Sequence, residues 1–431
     1  MSIVSIIIAL LIFSLLVIIH EFGHFIVAKK CGICVTEFSV GMGPRLLSFK
    51  KGETRYSLKI LPFGGSCQML GEDEDVDDDR AFGKKSVWKR MAVVFAGPFF
   101  NFVLAFVLSI IVIAGVGADP AYVTSCEEGS PAYEAGLREG DVIKRYNGAG
   151  ISIGRELYLE EYVDPVDGSE ITITFERDGQ RETISFIPET TYKYMLGMTY
   201  YTDDEPAELS DISEGSPLYE AGVESGDIII AVNGTEISSG SELGEYFNEN
   251  PVGEDAVSLV LLRGDEEITV SVTPVQTTVY YTGFSYNLSR ETQSVGGVIK
   301  YSFIEVKYEI RAVIKSLFML VTGNVSSDEV SGVVGIVDTI GTTYEETIDY
   351  GVFYTVMTML NLSIMLSANL GVINLLPIPA LDGGRLVFLI VEAIRRKPVS
   401  KEKEGFVHFI GFVLLMILMV FLLYNDIRKL L

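Results

Sequence analysis

The sequence predicts a multi-pass α-helical membrane protein of four transmembrane helices, with a membrane-associated β-hairpin and two small α/β modules outside the bilayer. Three observations predict it. Four apolar runs approach the ~20 residues that a helix needs to cross a hydrocarbon core. A mean hydropathy of +0.34 coexists with 21% charged residues, so greasy segments are joined to a separate soluble part. A 21-residue stretch between the second and third runs recurs 86 residues later with 13 identities, the mark of a duplicated module.

Taken in order, the apolar runs are Ile3 to Ala28, Met91 to Ala118, Val352 to Leu376 and Phe406 to Tyr424. Lys29, Lys30, Lys84, Lys85, Lys89 and Arg90 flank the first loop; Arg395, Arg396, Lys397, Lys401 and Lys403 flank the last. Positive charge marks the inner side, so both loops are expected in the cytoplasm, with the termini and the middle segment outside a cytoplasmic membrane. Between the first two runs, "TEFSVGMGPRLLSFKKGETRYSLKILPFGGSCQML" alternates like two strands about a Lys-Gly-Glu turn and reaches the pair Gly64 and Gly65. It reads as a hairpin with a loop able to dip into the membrane. The acidic run "GEDEDVDDDR" that follows lacks the twelfth-position glutamate of a calcium loop and reads as a solvated linker.

The middle segment carries the charge. From Asp119 to Ile299 there are 35 acidic and nine basic side chains, enough to account for the formal −25 of the whole chain. Such a surface repels a phosphate backbone, which excludes nucleic acid as a partner. Within it, "EGSPAYEAGLREGDVIKRYNG" (Glu128 to Gly148) and "EGSPLYEAGVESGDIIIAVNG" (Glu214 to Gly234) each supply a Ser-Pro helix start, a Gly-Asp turn, a buried strand and an Asn-Gly turn. The pattern resembles PDZ domains of the permuted bacterial kind, which implies an extended peptide ligand added at a sheet edge. Next, "VIKYSFIEVKYEIRAVIKSLFMLVTG" mixes apolar and charged residues at helical spacing, as an interfacial helix does. The expected division is 1–118 for the first half of the membrane core, 119–200 and 201–290 for the two modules, 291–350 for juxtamembrane helices and 351–431 for the second half of the core. Cys31, Cys34, Cys67 and Cys126 fall on both sides of the membrane, so no disulfide framework follows, and "CGIC" lacks a second pair for a zinc site.

The chemistry sits in "LLVIIHEFGHFIVAKK". His20 and His24 are four residues apart, so their rings share one helix face, with Glu21 about 100° round beside them. Two neutral imidazoles at that spacing hold zinc, and the glutamate takes a proton from the water that the metal activates and passes it to the leaving amine. Ionisable groups inside a membrane span are costly, which makes their presence there a sign of function. A catalytic zinc commonly takes a third protein ligand. His408 in the fourth span and Asp382 in "NLLPIPALDGGR" are the candidates, and Asp382 is preferred. Its prolines and glycines break the helix, an irregularity tolerated at membrane depth only when buried in protein or lining a wet cavity.

"HEFGH", "AGPFFNF", the duplicated module and "NLLPIPALDGG" occur in an order similar to that of the site-2 protease family of intramembrane zinc metalloproteases, in its bacterial regulator-of-sigma-E branch. The resemblance implies one zinc per chain held by His20, His24 and Asp382, with Glu21 as general base and then acid. It implies substrate contacts at Asn374, Asn101, Gly64 and Gly65, and a hairpin that offers its edge to an unwound substrate. The implied partners are single-pass membrane proteins such as anti-sigma factors, signal-peptide remnants or peptide-signal precursors, together with peptides at the PDZ pair and the lipid bilayer. Two rival readings are a metal transporter, which needs no glutamate beside its ligands, and a PDZ-bearing membrane scaffold without catalysis, which needs none of the four groups.

Overall fold

The computed structural model describes residues 3–72, 74, 76–324 and 330–430; Asp73 and Asp75 of the acidic run lie outside that set. The chain opens with α1 (Ile3–Lys30), the strands β1 (Val35–Lys51) and β2 (Thr54–Met69), and α2 (Val87–Val116). The first repeat supplies β3 (Val123–Cys126), α3 (Pro131–Glu134), β4 (Val142–Tyr146), β5 (Ala149–Gly150), α4 (Gly154–Val163), β6 (Ile171–Arg177), β7 (Gln180–Phe186), β8 (Glu189–Met195) and β9 (Met198–Tyr200). The second supplies β10 (Leu209–Ile212), α5 (Pro217–Glu220), β11 (Ile228–Val232), β12 (Thr235–Glu236), α6 (Gly240–Glu249), β13 (Val257–Arg263), β14 (Glu266–Val272), β15 (Val275–Tyr281) and β16 (Phe284–Tyr286). Five helices follow: α7 (Val295–Thr322), α8 (Val333–Ile348), α9 (Val352–Leu375), α10 (Asp382–Arg395) and α11 (Lys401–Leu430).

These elements form two compact units, one of Met1–Ala121, Ser152–Val163 and Asn287–Leu431, the other of Tyr122–Ile151 and Asp164–Tyr286. In the first unit, α1, α2, α9 and α11 are long and apolar enough to cross a membrane, which matches the four expected spans. Small residues let α1 and α2 meet closely: a Cβ on Gly23 would stand 2.4 Å from the Ala96 carbonyl oxygen. Ala9, Ile12 and Leu16 of α1 pack with Ile340 of α8 and Met359 and Leu366 of α9, while Ala105, Leu108 and Val112 of α2 pack on Ile364. The aspartate motif lies beyond α9, as the first turn of the separate helix α10.

The hairpin is a two-stranded sheet, β1 against β2, whose irregular register follows its several glycines. Its base is anchored by Val35 and Cys67 in a cluster with Ala28, Ile33 and Val93. Toward the turn, Leu46, Leu47, Phe49, Ile60 and Leu61 are exposed, an apolar surface that water alone would disfavour. Buried Glu37 is paired with Arg45, whose Nε donates at 3.1 Å.

Helix α4 is fixed to α7 by a ladder of charges. Arg155 bridges buried Asp119 at 3.0 Å and buried Glu305 at 2.6 Å, Lys307 reaches Glu156 at 3.0 Å, and Lys315 reaches Glu160 at 2.7 Å. Buried Asp119, Glu156 and Glu305 therefore each have a cation, as the cost of burying an unpaired charge demands.

In the second unit the repeats build matching four-stranded sheets, β5-β4-β6-β7 and β12-β11-β13-β14. The identity extends past the quoted motif: Arg177 clamps Asp141 in one copy as Arg263 clamps Asp227 in the other. Each copy's last strand pairs with the opposite copy, β9 with β10 and β16 with β3, so strand pairing crosses the 200/201 boundary. Between them β8 and β15 run antiparallel, with Tyr192 opposite Thr278, its own equivalent 86 residues on. That register is a pseudo-two-fold axis written into a single chain.

Candidate metal centre

Helix α1 places His20 and His24 one turn apart, buried, with their Nε2 atoms 3.2 Å from each other. Asp382, half-buried at the start of α10, brings Oδ2 to 3.1 Å from His20 Nε2 and 3.3 Å from His24 Nε2. The three ligand atoms lie within 4.8 Å of one another. Donors around a tetrahedral zinc, with bonds of about 2.0–2.1 Å, stand roughly 3.3–3.4 Å apart. The observed edges fit that geometry.

Two further observations favour a cation at the centre of this triangle. Asp382 Oδ2 is shielded from solvent and has no hydrogen-bond donor among the described residues, an arrangement that a bound cation resolves. Gly97 of α2 faces the triangle, and a Cβ there would fall 2.3 Å from His24 Nε2 and 2.8 Å from His20 Nε2. Glycine keeps that space clear.

The second ring nitrogens settle which atoms are free. His24 Nδ1 donates to the Val93 carbonyl at 2.8 Å, which leaves Nε2 with its lone pair toward Asp382. Pro98 has no N–H to give the Val94 carbonyl, so the α2 ladder is interrupted beside that contact. His20 Nδ1 faces the Asn101 side-chain amide at 3.2 Å, placed nitrogen-first, while Asn101 Oδ1 is left without a partner. Rotating the amide lets Oδ1 accept from Nδ1–H, which satisfies the orphan oxygen and frees His20 Nε2 in the same move. Asn101 is fully buried, and its carbonyl oxygen takes the Ser367 hydroxyl of α9 at 2.8 Å.

Local packing explains the Asp-Gly-Gly sequence. A Cβ on Gly383 would lie 2.1 Å from the Leu376 carbonyl oxygen, and one on Gly384 2.5 Å from that of Ile378. Only glycine allows α10 to start this tightly against the end of α9, which turns Asp382 back to the histidines.

Glu21 lies beside the triangle with its side chain against the hairpin: a Cβ on Gly65 would approach Glu21 Cγ at 3.1 Å. Gly64, at φ +81°, sits over Met42. The structure thus brings Gly65 to the glutamate and Asn101 to His20. Asn374 sits half-buried in the last turn of α9, with no hydrogen bond to His20, His24 or Asp382. His408 is outside the triangle and accepts from the Ala380 N–H through Nδ1. Reading the sequence did not single out Gly97 or the Val93 carbonyl. The usable signal was the Gly-Pro pair of "AGPFFNF", which marks a close approach and an opened ladder on the helix facing the histidines.

Residues 8–418 match peptidase family M50. The chain is 33% identical to zinc metalloprotease RasP of Geobacillus kaustophilus, over 99% of this chain and 98% of that one. It is 30% identical to the regulator of sigma-W protease RasP of Bacillus subtilis, over 98% and 97%. Among solved structures, the HtrA3 PDZ domain bound to a phage-derived ligand aligns with 21% of this chain and 92% of its own, at 23% identity and a TM-score of 0.18. With a family match across nearly its whole length and a relative of that similarity, this chain belongs to peptidase family M50, the site-2 protease family, and is a zinc metalloprotease.

Proposed function

We propose that this protein is an intramembrane endopeptidase of the cytoplasmic membrane that cuts single-span substrates, with its two modules outside the cell's inner compartment. The observation that carries the reading is the triangle of His20, His24 and Asp382, its two histidines on a helix long and apolar enough to cross a membrane, with a glutamate at its side. His20, His24 and Asp382 hold the metal, and Asn101 and the Val93 carbonyl orient the two imidazoles. Zinc bound there supplies Lewis-acid polarisation of the scissile carbonyl and a more acidic attacking water. Glu21 accepts the proton and delivers it to the leaving amine, and its place against Gly65 keeps it beside a substrate strand.

The hairpin supports the delivery of an extended chain. Both of its outer edges lack a partner strand among the described residues, and the apolar side chains near its turn suit lipid. A substrate helix that unwinds onto such an edge presents its amides singly. Gly64 and Gly65, with Met42 and Glu21 packed where their side chains would be, are the expected backbone contacts of that strand, and Asn374 is placed on the helix that leads into the aspartate motif. The duplicated modules suit peptide docking outside the membrane, and sigma-factor control by a relative makes anti-sigma factors one substrate class to try.

The test is cleavage of a short single-span reporter in proteoliposomes by wild-type protein and by Glu21→Gln. The expected result is a loss of roughly 10²-fold or more in rate with zinc content unchanged, which is the scale of general acid–base catalysis. A variant that still cuts at the wild-type rate overturns the role of Glu21.

A further inference from the structure

The loop that presents Asp382 contains a backbone conformation that its own sequence does not favour. Ala380, two residues before the aspartate, has φ +78°, a region that disfavours any residue with a Cβ. Such a residue persists only when its surroundings over-determine it. Two contacts from α11 do this. The Ala380 N–H donates to His408 Nδ1 at 2.9 Å. Three residues on, Gly411 lets α11 lie directly on the preceding residue, since a Cβ there would stand 2.4 Å from the Pro379 carbonyl oxygen.

From these contacts we infer that His408 is a positioning residue for the metal centre: its Nδ1 holds the Ala380 backbone and thereby the orientation of Asp382. The inference rests on the proposed ligand role of Asp382. What the imidazole contributes is an acceptor, since an apolar side chain could pack against Phe388 but would leave the Ala380 N–H without its partner. His408 bears a cost for this: Nε2 is shielded and has no hydrogen-bond partner among the described residues, with Glu404 Oε1 4.0 Å away. Accepting at Nδ1 fixes the proton on Nε2, so the shielded nitrogen is the consequence of holding the loop. A cavity of about 290 Å³ lies on the same side as His408, lined by Glu72, Arg90, Phe388, Glu392 and His408 itself, and the ion pairs Arg90–Glu392 and Arg385–Glu72 tie α10 beside it.

The experiment compares His408→Asn with His408→Gln in the full-length protein. Asparagine carries its carbonyl oxygen near the position of Nδ1, whereas glutamine places its amide near Nε2 and removes the acceptor. Zinc retention is measured by chelator competition, the coordination sphere by the visible absorption of the cobalt-substituted protein, and turnover with the single-span reporter. The glutamine variant is expected to hold zinc about 10–100-fold more weakly, with an altered cobalt spectrum and a lower kcat at little-changed KM. The asparagine variant is expected to resemble wild type. Adding Ala380→Gly to the glutamine variant should recover part of the loss, since glycine reaches φ +78° without restraint. Equal zinc retention and cobalt spectra in the two His408 variants overturn the brace alone. Undiminished zinc retention in Asp382→Ala overturns the ligand role, and the brace with it.

Discussion

A single hydrogen atom separates Gly97 from failure. The space that a methyl group would occupy at that position is the space between the two ligand nitrogens, 2.3 and 2.8 Å away, and α2 is held close by Gly23 on α1. Neither helix can retreat without opening the pair. Gly97→Ala is therefore expected to lower zinc content and to abolish measurable cleavage, which elemental analysis of the purified protein checks alongside the reporter assay. At this scale the sequence was legible where chemistry and helical spacing coincide. His20, Glu21 and His24 declare themselves by position alone, and Asp382 by a break that only a buried loop tolerates. Gly97 and the His408–Ala380 contact were not legible, because each acts on a partner tens of residues away and has no local spacing to betray it.

At the scale of elements, the hairpin and α8 show how distant groups complete local structure. Arg45 and then the Ser57 hydroxyl hold the Glu37 carboxyl down at about 2, against the opposing effect of burial. A carboxyl with a depressed folded value stabilises fully above its ordinary value of 4.5, and that contribution fades as pH falls toward about 2. Limited proteolysis of the hairpin between pH 5 and about 2 should show growing sensitivity in wild type, with a weaker dependence in Glu37→Gln.

Helix α8 begins at Gly332, which has no side chain to cap it. Asp426 near the end of α11 does so instead, accepting the Gly332 and Gly335 N–H groups at 2.9 Å each. Asp426→Ala is expected to destabilise the protein by about 1–2 kcal/mol, read as a lower midpoint of thermal unfolding in detergent. The hairpin was legible as alternation around a turn. The cap was not, since it joins residues 91 and 94 positions apart, and the unpromising glycine at the start of α8 was its only trace.

For the whole molecule, the four spans and the duplication were legible from hydropathy and self-similarity, both properties that sum over many residues. Which copy a terminal strand joins was not, because β9 and β16 carry the same pattern and fit either partner. Their exchange has a consequence for how the gene can change. Removing residues 201–290 strips β3 of β16 and leaves β9 without β10. Removing one period from equivalent points, residues 128–213, joins Glu127 to Glu214 and keeps β3 and β16 in one chain, where they can still close on each other. The shortened chain is expected to yield one folded module resistant to protease, and the 201–290 deletion an unfolded remnant, as limited digestion of both proteins would show. Recombination between the two repeats would lose one full period and so return a self-sufficient ancestor, whereas a cut at the visible border returns none.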